Sequence, residues 1–303
     1  MAHHSQTAAT LVGLVAIGFS ASLALLSTRG DGIPPFQLLA MNAAIAFVAG
    51  LLFLGARGKG AWRVLKQPLR PWIMAVLAIF TYHAAYFYAV SSIPPARASL
   101  IAYLWPLLIV VFASLASGGG GVRWGHGLGA LLGLAGVFVM FADKSATVEA
   151  VGPASGYVAA FACALIWSGY SVLNRRYSGV PSEMLIGVCG AVAVLSALSH
   201  LVFETSVSPT PGQWWAIVLL GIGPIGLTFL SWDHATKHGN IALLGVISFS
   251  TPILSTGLLV LAGEASASIY LGLAAALVVT GAMAASRAGK DLRSQRRANS
   301  RYS

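Results

Sequence analysis

Aromatic side chains with polar tips, together with one histidine, cluster on two neighbouring apolar segments of the chain. These candidate residues are Tyr82, His83, Tyr86, Ser99, Tyr103 and Trp105. Tyrosine and tryptophan ring faces accept planar apolar groups, and they attract an ammonium group by ~0.5–2 kcal/mol. Hydroxyl and imidazole groups add hydrogen bonds to polar atoms. Such a set predicts binding of a small solute that has both apolar and polar parts.

Two later segments carry polar stripes of the same kind. Residues three and four apart share one face of a helix, so these stripes each predict one polar helix face. The stripes consist of Trp167, Tyr170, Ser171 and Asn174, and of Ser248, Thr251, Pro252 and Ser255, with Phe249 beside the second stripe. Polar faces within lipid turn toward other helices or toward a water-filled cavity. We therefore predict that all of these residues line a substrate pathway.

Several alternatives are open for individual residues. Tyr82 and Tyr86 fit interhelical packing as well as a lining role. His83 either carries protons, for which its ordinary pKa of about 6.5 is suited, or only holds helices together. Tyr103 and the neighbouring Trp105 diverge by about 200° on an ideal helix, so one of the two is expected to face the pathway. Two further residues, Pro106 and Pro252, are predicted hinges, with tolerated kinks as the alternative.

Enzyme chemistry finds little support in the sequence. Gly-x-Ser-x-Gly, His-Glu-x-x-His, the Walker loop and a dinucleotide-binding glycine loop are all absent. An intramembrane enzyme would have to combine His83 with Asp233 and His234, which lie at the predicted end of the eighth segment. No catalytic residue, metal site or cofactor is predicted. A sugar-phosphate exchanger would need Lys or Arg deep in the pathway, and the predicted segments contain none there.

The composition explains why these polar residues need a special environment. The chain has 303 residues, of which 57% are hydrophobic and only 9% charged, and its mean hydropathy is +0.80. A soluble domain carries about 25% charged residues, so lipid must cover most of this surface. The net charge of +10 suits basic loops beside a membrane better than nucleic-acid binding.

Ten apolar segments are long enough, or nearly so, to cross a membrane, since a span needs ~20 residues. They lie near residues 9–27, 34–55, 71–93, 96–117, 127–142, 154–174, 182–203, 213–232, 241–263 and 268–286. All acidic residues fall in the loops or at the ends of these segments. The predicted fold class is an all-α polytopic membrane protein.

The basic residues predict the orientation. With both termini in the cytoplasm, 15 of the 18 Lys and Arg residues lie on the cytoplasmic side, and only Arg29, Arg97 and Lys144 lie outside. This asymmetry is typical of inner-membrane proteins and requires an even number of spans. We therefore predict a cytoplasmic segment 1–8, a basic cytoplasmic tail 287–303, and a bacterial inner-membrane location.

The two halves of the chain resemble each other. Gly127 to Gly136 matches Gly272 to Gly281 at a separation of 145 residues, and the segment ending at Pro106 matches the one ending at Pro252 at 146. Five spans per repeat, over 9–142 and 154–286, would insert in opposite directions. Inverted repeats are typical of secondary transporters, whose substrate site lies near the bilayer midplane. The glycines of the fifth segment are interpreted as packing residues, with an oligomer interface as the alternative.

These features together resemble the drug/metabolite transporter superfamily in its ten-helix EamA-type branch. The resemblance rests on the repeats, on Pro106 and Pro252, on Leu261-Ala-Gly-Glu264, and on the sixth segment from Trp167 to Arg176. Within that branch, the aromatic lining and basic loops are most similar to YddG-type exporters of aromatic amino acids.

The resemblance implies export of aromatic and other neutral amino acids by alternating access through a central cavity. Export of other metabolites or drugs, and proton-coupled antiport through His83, are the alternatives. The expected partners are a small-molecule substrate and the lipid bilayer, with no nucleic acid, and a monomer is expected rather than a dimer.

Overall fold

A computed structural model describes residues 2–30, 32–93, 95–116, 124–141, 152–263, 267 and 269–299. Within these ranges all regular structure is helical. Among the described residues, seven helical stretches are long and apolar enough to cross a membrane, judged by length and composition. They are Gln6–Ser27, Pro35–Ala56, Leu69–Ser92, Ala154–Tyr177, Met184–Phe203, Pro211–His238 and Ile241–Leu261. Three shorter apolar helices are Trp105–Leu115, Trp124–Val139 and Ile269–Ala285.

The chain folds into two compact units, each drawn from both halves of the sequence. The first unit contains Met1–Phe87 and Leu173–Gly239, and the second contains Tyr88–Val172 and Asn240–Ser303. The chain therefore passes between the units at three points: after Phe87, after Val172 and after Gly239.

Five long apolar stretches build the first unit. Its helices are α1 (Ala2–Thr28), α2 (Pro35–Ala56), α3 (Leu69–Ser92, to Phe87), α8 (Met184–Phe203), α9 (Pro211–Leu220) and α10 (Thr228–His238). Short 3₁₀ segments cover Lys59–Leu65 and Asn174–Tyr177. Glycines allow α8 to approach its neighbours closely: a methyl group at Gly190 would lie 3.0 Å from the Phe47 ring, and Gly187 faces Trp72. Interiors packed this closely tolerate little added volume.

A π-helical segment, Gly221–Leu227, joins α9 to α10 without a break in the helix. Pro224 lies inside it. Proline has no N–H and its ring collides with the carbonyl one turn earlier, and the wider π turn makes room for it. A methyl group at Gly221 would lie 2.8 Å from the carbonyl oxygen of Asn42. The wide turn is therefore packed directly against α2.

The start of α2 is held by a carboxylate from the end of α8. The N–H groups of Phe36 and Gln37 donate to the two Glu204 oxygens at 2.9 and 3.0 Å. His200 Nδ1 lies 2.9 Å from Glu204, and its Nε2 lies 2.8 Å from the Ser206 hydroxyl. A helix start has free N–H groups and a partial positive charge, so a carboxylate stabilises it.

The second unit contains the end of α3 and seven further helices. They are α4 (Pro95–Ala102), α5 (Trp105–Leu115), α6 (Trp124–Phe141), α7 (Ala154–Leu173, to Val172), α11 (Ile241–Ile247), α12 (Ser250–Leu261) and α13 (Ile269–Asn299). Helices α6 and α13 meet through glycines, because a methyl group at Gly129 would lie 2.6 Å from the Gly281 carbonyl oxygen, and one at Gly136 would lie 2.9 Å from that of Ala274. The predicted packing role of the α6 glycines is thus seen within the chain.

The all-helical, multi-span architecture agrees with the prediction, and most predicted ends are within a few residues of the observed ones. The predicted end of the eighth span at residue 232 is too early, because α10 continues to His238. Asp233 is therefore not at the end of the apolar segment but inside α10, where it is buried. Lys144, Glu264 and the residues after 299 lie outside the described residues.

Candidate functional site

The predicted residues of α3 form one aromatic surface in the first unit. Tyr82 and Tyr86, one turn apart, have ring planes only 2° apart and centroids 6.3 Å apart. The ring of His83 meets that of Tyr82 edge-on, at 5.2 Å and 83°. All three side chains are partly exposed. Their ring faces and polar tips lie on neighbouring parts of the helix surface, as the spacing predicts.

His83 is held in place by its own helix and by a second one. Its Nδ1 lies 2.7 Å from the Ile79 carbonyl oxygen, and since a carbonyl only accepts, Nδ1 carries the hydrogen. The ring also lies 6.1 Å from Phe87 and 6.2 Å from Phe229 of α10, centroid to centroid. The imidazole is thus packed between aromatic rings, and its Nε2 is the atom left to exchange a proton or bind a solute.

A second aromatic pair lies on α7 in the second unit. The rings of Trp167 and Tyr170 are 5.7 Å apart at 39°. Trp167 is partly exposed, whereas Tyr170 is 4% and Ser171 0% exposed. The Ser171 hydroxyl donates to the Trp167 carbonyl oxygen at 2.8 Å. Of this stripe, Trp167 has the surface best placed to meet a solute.

Both predicted hinge prolines follow a break in their helix. Tyr103 and Leu104 form a turn between α4 and α5, and Pro106 is the second residue of α5. Ser248 and Phe249 separate α11 from α12, with Pro252 two residues after the start of α12 at Ser250. At each break the backbone hydrogen bond shortens to three residues, from Leu104 to Ile101 and from Phe249 to Val246. Discontinuous helices are a recurrent device for substrate sites in transporters.

The side chains at these breaks differ in exposure. Tyr103, Trp105 and Ser99 are partly exposed, and Tyr103 also packs on the buried cluster that includes Phe249. Phe249 is fully buried, with Gly133 leaving room for its ring. Ser248 is fully buried too and donates to the Leu244 carbonyl oxygen at 2.7 Å. In this conformation Phe249 and Ser248 lie in the interior of the second unit at the helix break. Thr251, at 9% exposure, is nearly as buried.

Asn174 follows the α-helical part of α7, and its amide is bonded within the first unit. The α-helical part of α7 ends at Leu173, and Asn174 begins the 3₁₀ segment. The Asn174 amide donates to Asp233 Oδ1 at 2.8 Å and is 3% exposed. Sequence spacing predicted one face shared with Trp167 and Tyr170, but it did not predict this hydrogen bond to α10.

The structure thus brings Tyr82, His83 and Tyr86 together on α3, Trp167 and Tyr170 together on α7, and Tyr103 against the buried cluster of Phe249. Residues that the sequence interpretation missed are Phe229, which packs on His83, and the pair Asp233 and Lys237. The signal for that pair was available, since opposite charges four residues apart on an apolar helix can pair. No group of three or more potential metal-ligating residues occurs in the part of the chain that the structure describes.

Long apolar helices, aromatic polar faces and interrupted helices define a multi-pass membrane protein of the solute-transporter class. The EamA-like transporter family matches residues 7–142 and again residues 154–287. The chain belongs to this family, as its motifs predicted.

Relatives of known name agree with the family. The chain is 46% identical, over 93% of its length and 98% of the relative's, to the aromatic amino acid exporter YddG of Ancylobacter novellus. It is 27% identical to YddG of Escherichia coli (90% and 94% covered) and 24% identical to the pseudopaline exporter CntI of Pseudomonas aeruginosa (82% and 84%). A crystal structure with 44% identity matches 95% of this chain and 99% of its own, with a TM-score of 0.89. These relatives are transporters, which points away from an enzyme.

Proposed function

We propose that this protein exports aromatic and other neutral amino acids, and similar small metabolites, across the bacterial inner membrane by alternating access. The observation that carries the proposal is the 46% identity, over nearly the whole of both chains, to a relative named as an aromatic amino acid exporter. The aromatic surfaces on α3 and α7 supply the chemistry that such a substrate requires.

The residues proposed to contact the substrate are the tyrosines and histidine of α3 in the first unit and, in the second unit, Trp167 with Tyr170 and Trp105 with Tyr103. Ring faces hold a planar side chain and attract the ammonium group of an amino acid. Hydroxyl groups and the carbonyls loosened at the helix breaks meet the polar ends of a zwitterion. A lining with few fixed charges binds weakly, which suits a protein that has to release its cargo.

In this proposal ten spans form two inverted repeats, 9–142 and 154–286, with both termini and the tail 287–303 in the cytoplasm. The separate family matches to 7–142 and 154–287 support the division into repeats. The excess of Lys and Arg in the predicted cytoplasmic loops supports the orientation. Pro106 and Pro252 act as hinges beside the helix breaks, and the functional form is a monomer.

Counterflow into proteoliposomes tests the function. Vesicles containing the purified protein and loaded with unlabelled phenylalanine should take up labelled phenylalanine and tryptophan faster than protein-free vesicles. Absence of flux for every amino acid would reject the proposal. The likeness to a pseudopaline exporter favours a wider metabolite range as the second candidate, so the same vesicles should also be tested with pseudopaline.

A further inference from the structure

Two opposite charges are buried inside α10. Lys237 Nζ lies 2.8 Å from Asp233 Oδ2, one turn away, and each side chain is only 1% exposed. The pair lies within the apolar stretch Pro211–His238. Removing two ions from water is costly, and apolar residues often replace a buried pair without loss of stability. A charged pair kept within a membrane span therefore indicates a functional requirement.

The remaining polar atoms of the pair reach back to the segment after α7. Asp233 Oδ1 accepts from the Asn174 amide at 2.8 Å, and the same amide lies 3.4 Å from the Thr236 hydroxyl. Lys237 Nζ also donates to the Val180 carbonyl oxygen at 3.0 Å. The ion pair therefore binds both the start and the end of residues 174–180.

Arg175 adds a second connection from the same segment to the end of α10. Its guanidinium donates to the carbonyl oxygens of Thr236 and Gly239, each at 3.2 Å. The last carbonyls of a helix lack partners and carry a partial negative charge, so a cation stabilises them. Residues 174–180 and the end of α10 are thus joined by a buried ion pair on one side and a cationic cap on the other.

These contacts lie beside two of the three points where the chain passes between units. One passage lies between Val172 and Leu173, directly before Asn174, and another between Gly239 and Asn240, directly after the capped carbonyl. Every contact of the set is made within the first unit. The backbone directly after Val172 and the backbone directly before Asn240 are therefore held to each other by this one set of contacts.

We propose that the Asp233–Lys237 pair positions the backbone for transport. Together with Asn174 and Arg175, it holds the chain to the first unit beside the two passages, Val172–Leu173 and Gly239–Asn240. This inference rests on the proposed alternating access. The backbone must bend at the passages if the units move, and a fixed anchor directs that bending to Val172–Leu173 and Gly239–Asn240. The pair acts through these segments and does not contact the substrate.

Substitution of Lys237 gives a sharp test, because Lys237→Met removes the charge while Lys237→Arg keeps the charge and the donors. In Lys237→Met the maximal counterflow rate should fall at least about tenfold while the dissociation constant for phenylalanine stays within about twofold of wild type. Lys237→Arg should recover most of the rate. A control in the same unit is Arg57→Gln, which removes an exposed ion pair with Glu183 and should leave both values unchanged.

Backbone amide hydrogen exchange tests the anchor separately from transport. Residues 174–180 and 239–241 should exchange faster in Lys237→Met and at the wild-type rate in Lys237→Arg. Should Lys237→Met fold poorly, the double variant Asp233→Asn/Lys237→Met, which leaves no unpaired buried charge, should give the same two effects. Exchange unchanged in a folded variant, or a wild-type rate in Lys237→Met, would overturn the anchor. If the wild-type protein moves no amino acid, the proposed function fails, while the exchange result still decides whether the anchor exists.

Discussion

Gly245 of α11 lies against the backbone of Pro106 in α5: a methyl group at Gly245 would be 3.0 Å from the Pro106 carbonyl oxygen. Helix α11, which ends at the break before Pro252, is thereby packed on Pro106, which follows the break between α4 and α5. The two interrupted segments of the second unit support each other, and a side chain between them would push them apart.

Substitution of Gly245 should therefore destabilise the protein in proportion to side-chain size. Gly245→Ala requires a shift of a few tenths of an ångström and should lower the melting temperature slightly, whereas Gly245→Leu should lower it strongly or prevent folding, since overpacking typically costs ~1–3 kcal/mol or more. Thermal unfolding followed by tryptophan fluorescence measures both. Gly257→Ala is the matched control, because nothing lies within 4 Å of a methyl group there. Equal effects at the two positions would argue against the close contact.

Removing the Tyr82 ring from the aromatic surface on α3 should weaken substrate binding. Tyr82→Ala should raise the half-saturating phenylalanine concentration by roughly 2- to 30-fold, the equivalent of ~0.5–2 kcal/mol for one ring contact. Tyr82→Phe keeps the ring and should lose little. Tyr88→Ala on the same helix is the control, because Tyr88 is half exposed and its hydroxyl pairs with Ser155 at 2.8 Å. Unchanged counterflow in Tyr82→Ala would remove this tyrosine from the pathway.

Trp167 should matter because its ring is partly exposed beside Tyr170. Trp167→Ala should reduce tryptophan and phenylalanine flux by about tenfold at normal expression, and Trp167→Phe should retain a larger share. Trp215→Ala, which removes a ring that is 74% exposed, provides the comparison. If both tryptophan substitutions have the same effect, membrane anchoring rather than substrate contact explains the loss.

Flux should be insensitive to a pH gradient. The His83 Nδ1 hydrogen is directed to the Ile79 carbonyl, and Asp233, a buried carboxylate of the described chain, is paired with Lys237. A carboxylate held in an ion pair is a poor proton carrier, so Nε2 of His83 is the atom whose role the measurement decides. Counterflow and net efflux should be measured with and without an imposed gradient, in wild type and in His83→Ala. Stimulation by the gradient that disappears in His83→Ala would establish proton coupling through this histidine.

Loss of the carboxylate that caps α2 should lower stability without changing substrate recognition. Glu204→Ala leaves the N–H groups of Phe36 and Gln37 without their acceptor, at a cost of ~1–3 kcal/mol. Thermal unfolding should report this loss, while the half-saturating substrate concentration should be unchanged. Glu183→Gln, which affects the exposed pair with Arg57, should have little effect on either value. A selective change in substrate affinity in Glu204→Ala would contradict the capping role.

Much of the fold could be predicted because membrane helices depend on length and hydrophobicity, which are local properties. The spans near 34–55 and 182–203 are within two residues of the observed helices. The ring cluster on α3 could also be predicted, since Tyr82, His83 and Tyr86 occupy a single uninterrupted helix. Pro106 and Pro252 indicated where helices would be disturbed.

Other features depend on contacts between distant residues and could not be predicted from spacing. The spacing placed Asn174 on the stripe of Trp167 but could not predict that its amide bonds to Asp233, 59 residues away. The end of α10 was placed too early because Asp233 resembles a loop residue until Lys237 is seen to neutralise it. Phe249 was expected at the substrate surface, but the room left by Gly133 admits its ring into the core.

The division of the chain between the two units has a consequence for split versions of the protein. Neither half of the sequence contains a whole unit, because Met1–Phe87 groups with Leu173–Gly239 and Tyr88–Val172 groups with Asn240–Ser303. Two polypeptides cut between residues 142 and 154 would therefore have to exchange helices to become native. Complementation between co-expressed halves would therefore require both polypeptides in the same membrane.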